Sequence, residues 1–263
     1  MTTSRTGRSD VFDRVLCAVD GSPGALVAVR QARQLTSPLG RAELVTVVEV
    51  PMTVVAPYSA QLIVHEARRR ASAALAAARA AWPEVPGEVL EGPPKAGRVL
   101  AELERRHATL AAVGAGSHDR AAGAVLGSVP TTLLHRSACS VLVARAGLGA
   151  TDGFPQAVVV GVDGSRASLA ALTAARDLGR RLDATVRVLA AGSGVDEEAL
   201  AGEPDVERVS PQPLEALLRA ARDADLVVVG SRGLRGLRAL GSVSERLGHR
   251  APCSVLVVKP PAR

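Results

Sequence analysis

The strongest constraint on this chain is that it contains the same sequence twice. Val15-Leu-Cys-Ala-Val-Asp-Gly-Ser22 returns as Val158-Val-Val-Gly-Val-Asp-Gly-Ser165, an offset of 143 residues. Val113-Gly114 returns as Val229-Gly230 at an offset of 116, and Cys139-Ser-Val-Leu-Val143 as Cys253-Ser-Val-Leu-Val257 at 114. The second copy is therefore 27 residues shorter before the Val-Gly pair and 2 shorter after it. A period this long is that of a duplicated domain rather than a solenoid. The 263 residues suit two small domains. We place them at 11–146 and 156–260, joined by a glycine-rich stretch, Ala146–Pro155.

Within the first copy, apolar runs alternate with helical patterns. Asp13–Val19 reads as a strand buried on both faces, because it is almost continuously apolar. Ser22-Pro23 then opens a helix, the hydroxyl as N-cap and proline at the first helical position. A strand at Leu44–Val50, a long helix over about Ser59–Ala81 and a strand at Val85–Leu90 follow. Next come a helix at Gly97–Arg106, a strand at Leu110–Gly114, a helix at Ser128–His135 and a strand at Ser140–Ala144. Strands separated by helices pair in parallel through right-handed crossovers. The expected fold class is α/β: two tandem open parallel-sheet, Rossmann-like domains.

The second copy repeats this with strands at Ala157–Val162, Thr185–Leu189, Leu226–Val229 and Ser254–Val258. Helices start at Ser165 and Ser242, with another near Leu214–Arg222. The long second helix has no counterpart, since only Ala190–Gln212, rich in Gly, Asp and Glu, fills its place. The second domain is thus reduced, with one sheet face expected to be poorly covered.

Composition removes several function classes. The formal charge is +6, and the cations are nearly all arginine, with Lys95 and Lys259 the two lysines. The arginines are interleaved with acids, as in Glu102, Glu104, Arg105 and Arg106, and Phe12, Tyr58, Trp82 and Phe154 form no stacking cluster. A nucleic-acid partner is not expected. No apolar run approaches the ~18 residues of a membrane span. The polar stretch Met1–Asp10 is not a secretory signal, so a cytoplasmic location is expected. Cys17, Cys139 and Cys253 lie inside strand-like runs without metal-ligand spacing, as reduced core thiols do.

Two motifs carry the candidate chemistry. Asp20 and Asp163 follow the first strand of each copy, where an open parallel sheet collects ligands. A carboxylate there accepts hydrogen bonds from a sugar hydroxyl or a base amine, or simply turns the chain into its helix. The second motif follows the fourth strand. The first copy reads Gly114-Ala-Gly116-Ser117, nine residues, then Gly127-Ser128; the second reads Gly230-Ser-Arg-Gly233, seven residues, then Gly241-Ser242. Glycines let an anion approach the backbone, and amides at a helix start point towards it. Ser128 and Ser242 either donate to phosphate or cap their helices, and Ser242-Val-Ser-Glu245 has the form of a capping box.

These residues together resemble the universal stress protein family in its tandem form: Val-Asp-Gly-Ser after strand one, Val-Gly with a glycine-rich loop after strand four, Gly-Ser-Val, and the closing Cys-Ser-Val-Leu-Val. The likeness spans about residues 13–145 and 157–259. It implies five-stranded sheets and an intramolecular pseudo-dimer, with Ser140–Ala144 beside Ser254–Val258. Pairing those strands also removes two apolar edges. ATP-binding members carry Gly, two residues, Gly, nine residues, then Gly-Ser or Gly-Thr. In the first copy Gly114, Gly127 and Ser128 fit this spacing, while Ser117 stands at the second glycine. A positive φ at that serine costs about 1 kcal/mol or more. In the second copy Gly230, Gly233, Gly241 and Ser242 fit in type, but the loop is two residues short.

The resemblance implies a stress-response protein that binds ATP or another adenine nucleotide, with magnesium as a companion the phosphates can bring. Asp20, Gly114, Ser117, Gly127 and Ser128 would form the first pocket, the better candidate; Asp163, Gly230, Gly233, Gly241 and Ser242 would form the second. The alternative is an interaction scaffold with degenerate pockets, acting through a protein partner. Catalysis is not expected. No Gly-Lys-Ser or Gly-Lys-Thr phosphate loop occurs, and His107, His118, His135 and His249 fall in no Ser/His/Asp order. Association of two tandem chains is left open.

Overall fold

The computed structural model describes residues 12–49, 57–92, 94–116, 126–146, 153–192, 194–203, 205–209, 212–231 and 243–260, with the helical residues 57–61 described by backbone alone. Strand β1 (Arg14–Ala18) leads to α1 (Pro23–Leu35), β2 (Arg41–Val48), α2 (Pro57–Ala81) and β3 (Gly87–Glu91). Then follow α3 (Lys95–Arg105), β4 (Leu110–Gly114), α4 (Ser128–Arg136) and β5 (Ser140–Ala144). The second half runs β6 (Ala157–Val162), α5 (Arg166–Leu182), β7 (Thr185–Ala190), α6 (Glu197–Leu200) and β8 (Val206–Arg208). It ends with α7 (Pro213–Ala220), β9 (Leu226–Gly230), α8 (Val243–Arg250) and β10 (Ser254–Val258).

The strands form one sheet in the order β3-β2-β1-β4-β5-β10-β9-β6-β7-β8. Each half is parallel throughout, as expected of strands joined by helices. The halves meet antiparallel at β5 and β10, with Leu142 opposite Leu256. The strand-to-strand pairing implied by the family resemblance is therefore present within a single chain.

Both apolar edges disappear into this seam, where every residue of β5 and β10 is buried. Its polar atoms are satisfied in mirrored fashion: Arg145 N–H donates to Ser254 Oγ, and Lys259 N–H to Ser140 Oγ. Gln31, buried on α1, accepts the Ser254 hydroxyl at 2.8 Å and donates to the Arg145 carbonyl.

Alternating side chains divide the core. Val15, Cys17, Leu44, Leu110 and Leu142 join α1 and α2 on one face, and the same cluster continues through Leu256, Val228 and Val160 to α5. On the other face Leu16, Val45, Ala111 and Val113 meet α3 and α4, and Val159, Val227 and Val229 meet α7 and α8. Glu102 on α3 is buried but ringed by Arg98, Arg105 and Arg106, and Arg106 also meets Glu43 and Glu88. The interleaved charges noted in the sequence thus fold into a network.

The stretch after β7, rich in Gly, Asp and Glu, contains two elements. Val206–Arg208 adds β8 to the sheet edge, where Arg187 grips Glu207 at 3.0 Å. Helix α6 is a single turn whose Leu200 is buried in the cluster under α5. Cover over β7 is consequently confined to its last three residues, while Thr185 and Arg187 are exposed and Val186 half-buried.

All three cysteines are buried free thiols. Burial pushes the Cys17 and Cys253 thiols up to about 12 and raises Cys139 as well. Thiolate is the reactive form. Folded protein at neutral pH is therefore expected to resist alkylation that urea-unfolded protein undergoes at all three positions, as counted by intact mass. Rapid labelling of the folded form would contradict this burial.

Candidate functional site

In the first half the chain winds from β1 out to β3, then crosses back to β4. The sheet thus changes winding direction between β1 and β4, and a crevice must open beyond their carboxyl ends. It measures about 900 Å³, within the range of small-molecule sites. Asp20, Gly114, Gly127 and Ser128 all line it.

Asp20 reaches the crevice through a tight turn. Its Oδ1 accepts the Ser22 N–H at 2.9 Å, and Ser22 Oγ accepts the Ala25 N–H at 3.2 Å as N-cap of α1. Between them Gly21 has φ +81°, a backbone that favours glycine. Turn chemistry and ligand contact therefore coexist here: one carboxylate oxygen shapes the turn, and the other has no partner among the described residues.

Gly114 serves packing first. A Cβ there would lie 2.6 Å from the carbonyl carbon of Gly24 and 2.8 Å from the Ala25 nitrogen, so its absence lets α1 press against the end of β4. Gly116, one residue before the serine that the family spacing singles out, has φ +129°. Ser117 lies outside the described residues.

The Gly127 N–H donates to the Ala115 carbonyl at 2.9 Å, closing the base of the loop, so this amide is not offered to a ligand. Gly127 is the N-cap of α4 with no side-chain cap, which resolves Ser128: its exposed hydroxyl is not a cap. The Ser128 and Val129 amides have no intrahelical acceptor, and Pro130 carries no N–H. The donors that this helix start presents, among the described residues, are thus two amides and one hydroxyl.

The opposite wall is apolar, with Val47 and Val99 from below and Leu62 and Ile63 from α2. Leu62 and Ile63 are 60% and 56% exposed, the large aliphatics one would expect to be buried. Leu62 is one apolar position among several in this helix, and apolarity alone does not announce its role. The available signal was position: the buried stripe runs Ala71, Ala74, Leu75, Ala78, and Leu62 falls on the other side of the helix. Two ion pairs sit at the mouth, Lys95–Glu49 at 3.7 Å and Arg70–Glu66 at 2.9 Å.

The equivalent crevice in the second half, between β6 and β9, is about 290 Å³. Asp163 and Gly230 line it together with Ser165 and Ser168. Asp163 Oδ1 accepts the Ser165 N–H at 3.1 Å, repeating the turn at Asp20. Gly230 repeats Gly114, its missing Cβ admitting the Ala167 backbone at 2.4 Å. The segment entering α6 bonds back to this turn, where Asp196 N–H donates to the Asp163 carbonyl at 3.0 Å. Gly233, Gly241 and Ser242 lie outside the described residues.

No helix among the described residues is long and apolar enough to cross a membrane. The profile of the universal stress protein family matches residues 12–145 and 192–259. A universal stress protein of Mycobacterium tuberculosis is 31% identical over 290 aligned positions, covering 93% of this chain and 96% of its own. One from Mycolicibacterium smegmatis is 34% identical over 166, covering 52% of this chain and 56% of its own. Among solved structures, a universal stress protein from Archaeoglobus fulgidus superposes with a TM-score of 0.71 at 20% identity, covering 95% of this chain and 99% of its own.

Proposed function

The chain belongs to the universal stress protein family, and from that premise we propose that it binds ATP or another adenine nucleotide in the crevice of its first domain. The reading divides the chain into domains 11–146 and 156–260. It rests above all on one observation: Asp20, Gly114, Gly127 and Ser128, far apart in sequence, line a single open crevice at the switch point. Ser128 and Val129 amides with the Ser128 hydroxyl would take phosphate, aided by the α4 dipole. Asp20 would accept from ribose or adenine, and Leu62 and Ile63 would cover an apolar base face. The role in this reading is binding rather than catalysis. Magnesium would arrive on the phosphates, as no cluster of metal-ligating side chains occurs among the described residues.

Calorimetric titration with ATP, with and without magnesium, tests this. Gly127→Ala is the informative variant, because among the described residues its methyl would come nearest to Pro130 and Gly116, at 3.5 and 3.6 Å, without forcing the fold. It places that methyl between two residues that line the crevice. Affinity should fall about tenfold or more, equivalent to about 1.4 kcal/mol. Asp20→Asn keeps an acceptor for the turn but removes the charge, and should cost a similar factor. No heat from wild-type protein at millimolar ATP would refute the proposal.

A further inference from the structure

Helix α8 belongs to the second half, yet its last turn reaches the phosphate end of the first crevice. His249 Nδ1 accepts the Leu126 N–H at 3.4 Å. Leu126 is buried and directly precedes Gly127, the N-cap of α4. Three further contacts hold α8 in place against the first half. Arg145, at the end of β5, donates to the Gly248 and His249 carbonyls at 2.5 and 3.3 Å. Leu134 of α4 lies against Gly248, where a Cβ would come within 2.8 Å of it. His135 of α4 meets Glu245 of α8 at 3.1 Å.

We propose that His249 is a positioning residue for the anion-binding end of the first crevice, so that the second half completes the site of the first. The proposal rests on the nucleotide reading above. The direction of the Ser128 and Val129 amides is set by the chain entering α4. That entry is fixed at two consecutive amides: Gly127 N–H on Ala115, and Leu126 N–H on His249. Remove the second and the N-cap is tethered from one side only. A duplicated domain with a crevice one third the size of its twin's thereby acquires a function, as the support of the working one.

The chemistry of the contact supplies a distinctive readout. An N–H can be accepted at Nδ1 only when that nitrogen is unprotonated, and a protonated imidazole donates from both nitrogens. The contact thus needs an acceptor at this position, which asparagine can supply and leucine cannot. Among the described residues, the charged groups around it are Arg145 from β5, His135 from α4, Glu245 on α8 and Arg250, which α8 pairs with Glu215 of α7.

The test uses the full chain, with ATP as probe. His249→Leu should weaken ATP binding about fivefold with the fold intact by circular dichroism, the magnitude of one ordinary hydrogen bond. His249→Asn, whose Oδ1 can accept the same N–H, should restore binding. Wild-type affinity in His249→Leu, or no recovery in His249→Asn, would overturn the proposal. If wild type binds no ATP, the nucleotide reading has failed, and amide hydrogen exchange at Leu126 and Ser128 decides the positioning claim. Faster exchange in His249→Leu with recovery in His249→Asn upholds it; equal exchange in all three overturns it.

Discussion

Alanine at Gly114 should destabilise the protein by about 3 kcal/mol, at the upper end of what overpacking costs. The new methyl would have backbone atoms of Gly24 and Ala25 at 2.6–2.9 Å, and backbone cannot rotate aside as a side chain tip can. Relief requires α1 to lift off β4, opening the face that buries Ala25, Ala28 and Ala32. Gly230→Ala should behave alike, against Ala167 and Ser168 at 2.4–2.6 Å. Gly127→Ala, with nothing nearer than 3.5 Å, should stay within about 0.5 kcal/mol of wild type, as ordinary surface changes do. Urea unfolding midpoints for the three variants test the ranking, and an unshifted midpoint for Gly114→Ala would contradict the close approach of helix and strand. The contrast governs how binding data are read. Lost ATP binding in Gly114→Ala would report on folding, whereas the same loss in Gly127→Ala would report on the crevice.

Legibility in the sequence followed burial. The strands at the middle of each half are covered on both faces, so runs such as Val141–Ala144 and Leu226–Val229 announce themselves as unbroken apolar stretches. Strand β8 is three residues at an exposed edge, its Glu207 facing Arg187 in solvent, and Val206-Glu-Arg-Val has no period-2 alternation to mark it. Helix α6 is one turn and has no room for a periodicity. For the site, Asp20 and the Gly114-to-Ser128 spacing stood out because turns and helix starts have local residue preferences. The two roles of the glycines were not separable by spacing, since packing at Gly114 and open space at Gly127 read as the same letter. His249 left no local trace at all. Its contact with Leu126 bridges 123 residues and depends on the antiparallel seam, whose register no single strand encodes.

That seam should be the most sensitive place in the molecule to an added charge. Leu256 is fully buried and stands opposite Leu142, also fully buried, within the cluster that runs unbroken from α1 to α5. Leu256→Ala removes apolar contact on both sides of the boundary and should cost about 2–5 kcal/mol. Leu256→Asp should cost more, because it places an ionisable carboxyl inside a buried apolar cluster. We expect it to yield no folded protein. The alanine variant carries the sharper information. A core shared by both halves predicts one cooperative thermal transition for wild type. Weakening its centre should either lower that transition as a whole or split it in two, and differential scanning calorimetry distinguishes these outcomes. A split would mean that each half holds its own core once the seam loosens. A single lowered transition would mean that the ten-stranded sheet is the folding unit and that neither copy is stable without its twin. If Leu256→Ala leaves the wild-type transition unmoved, the seam is not what joins the halves, and the support that His249 lends across it would lose its foundation.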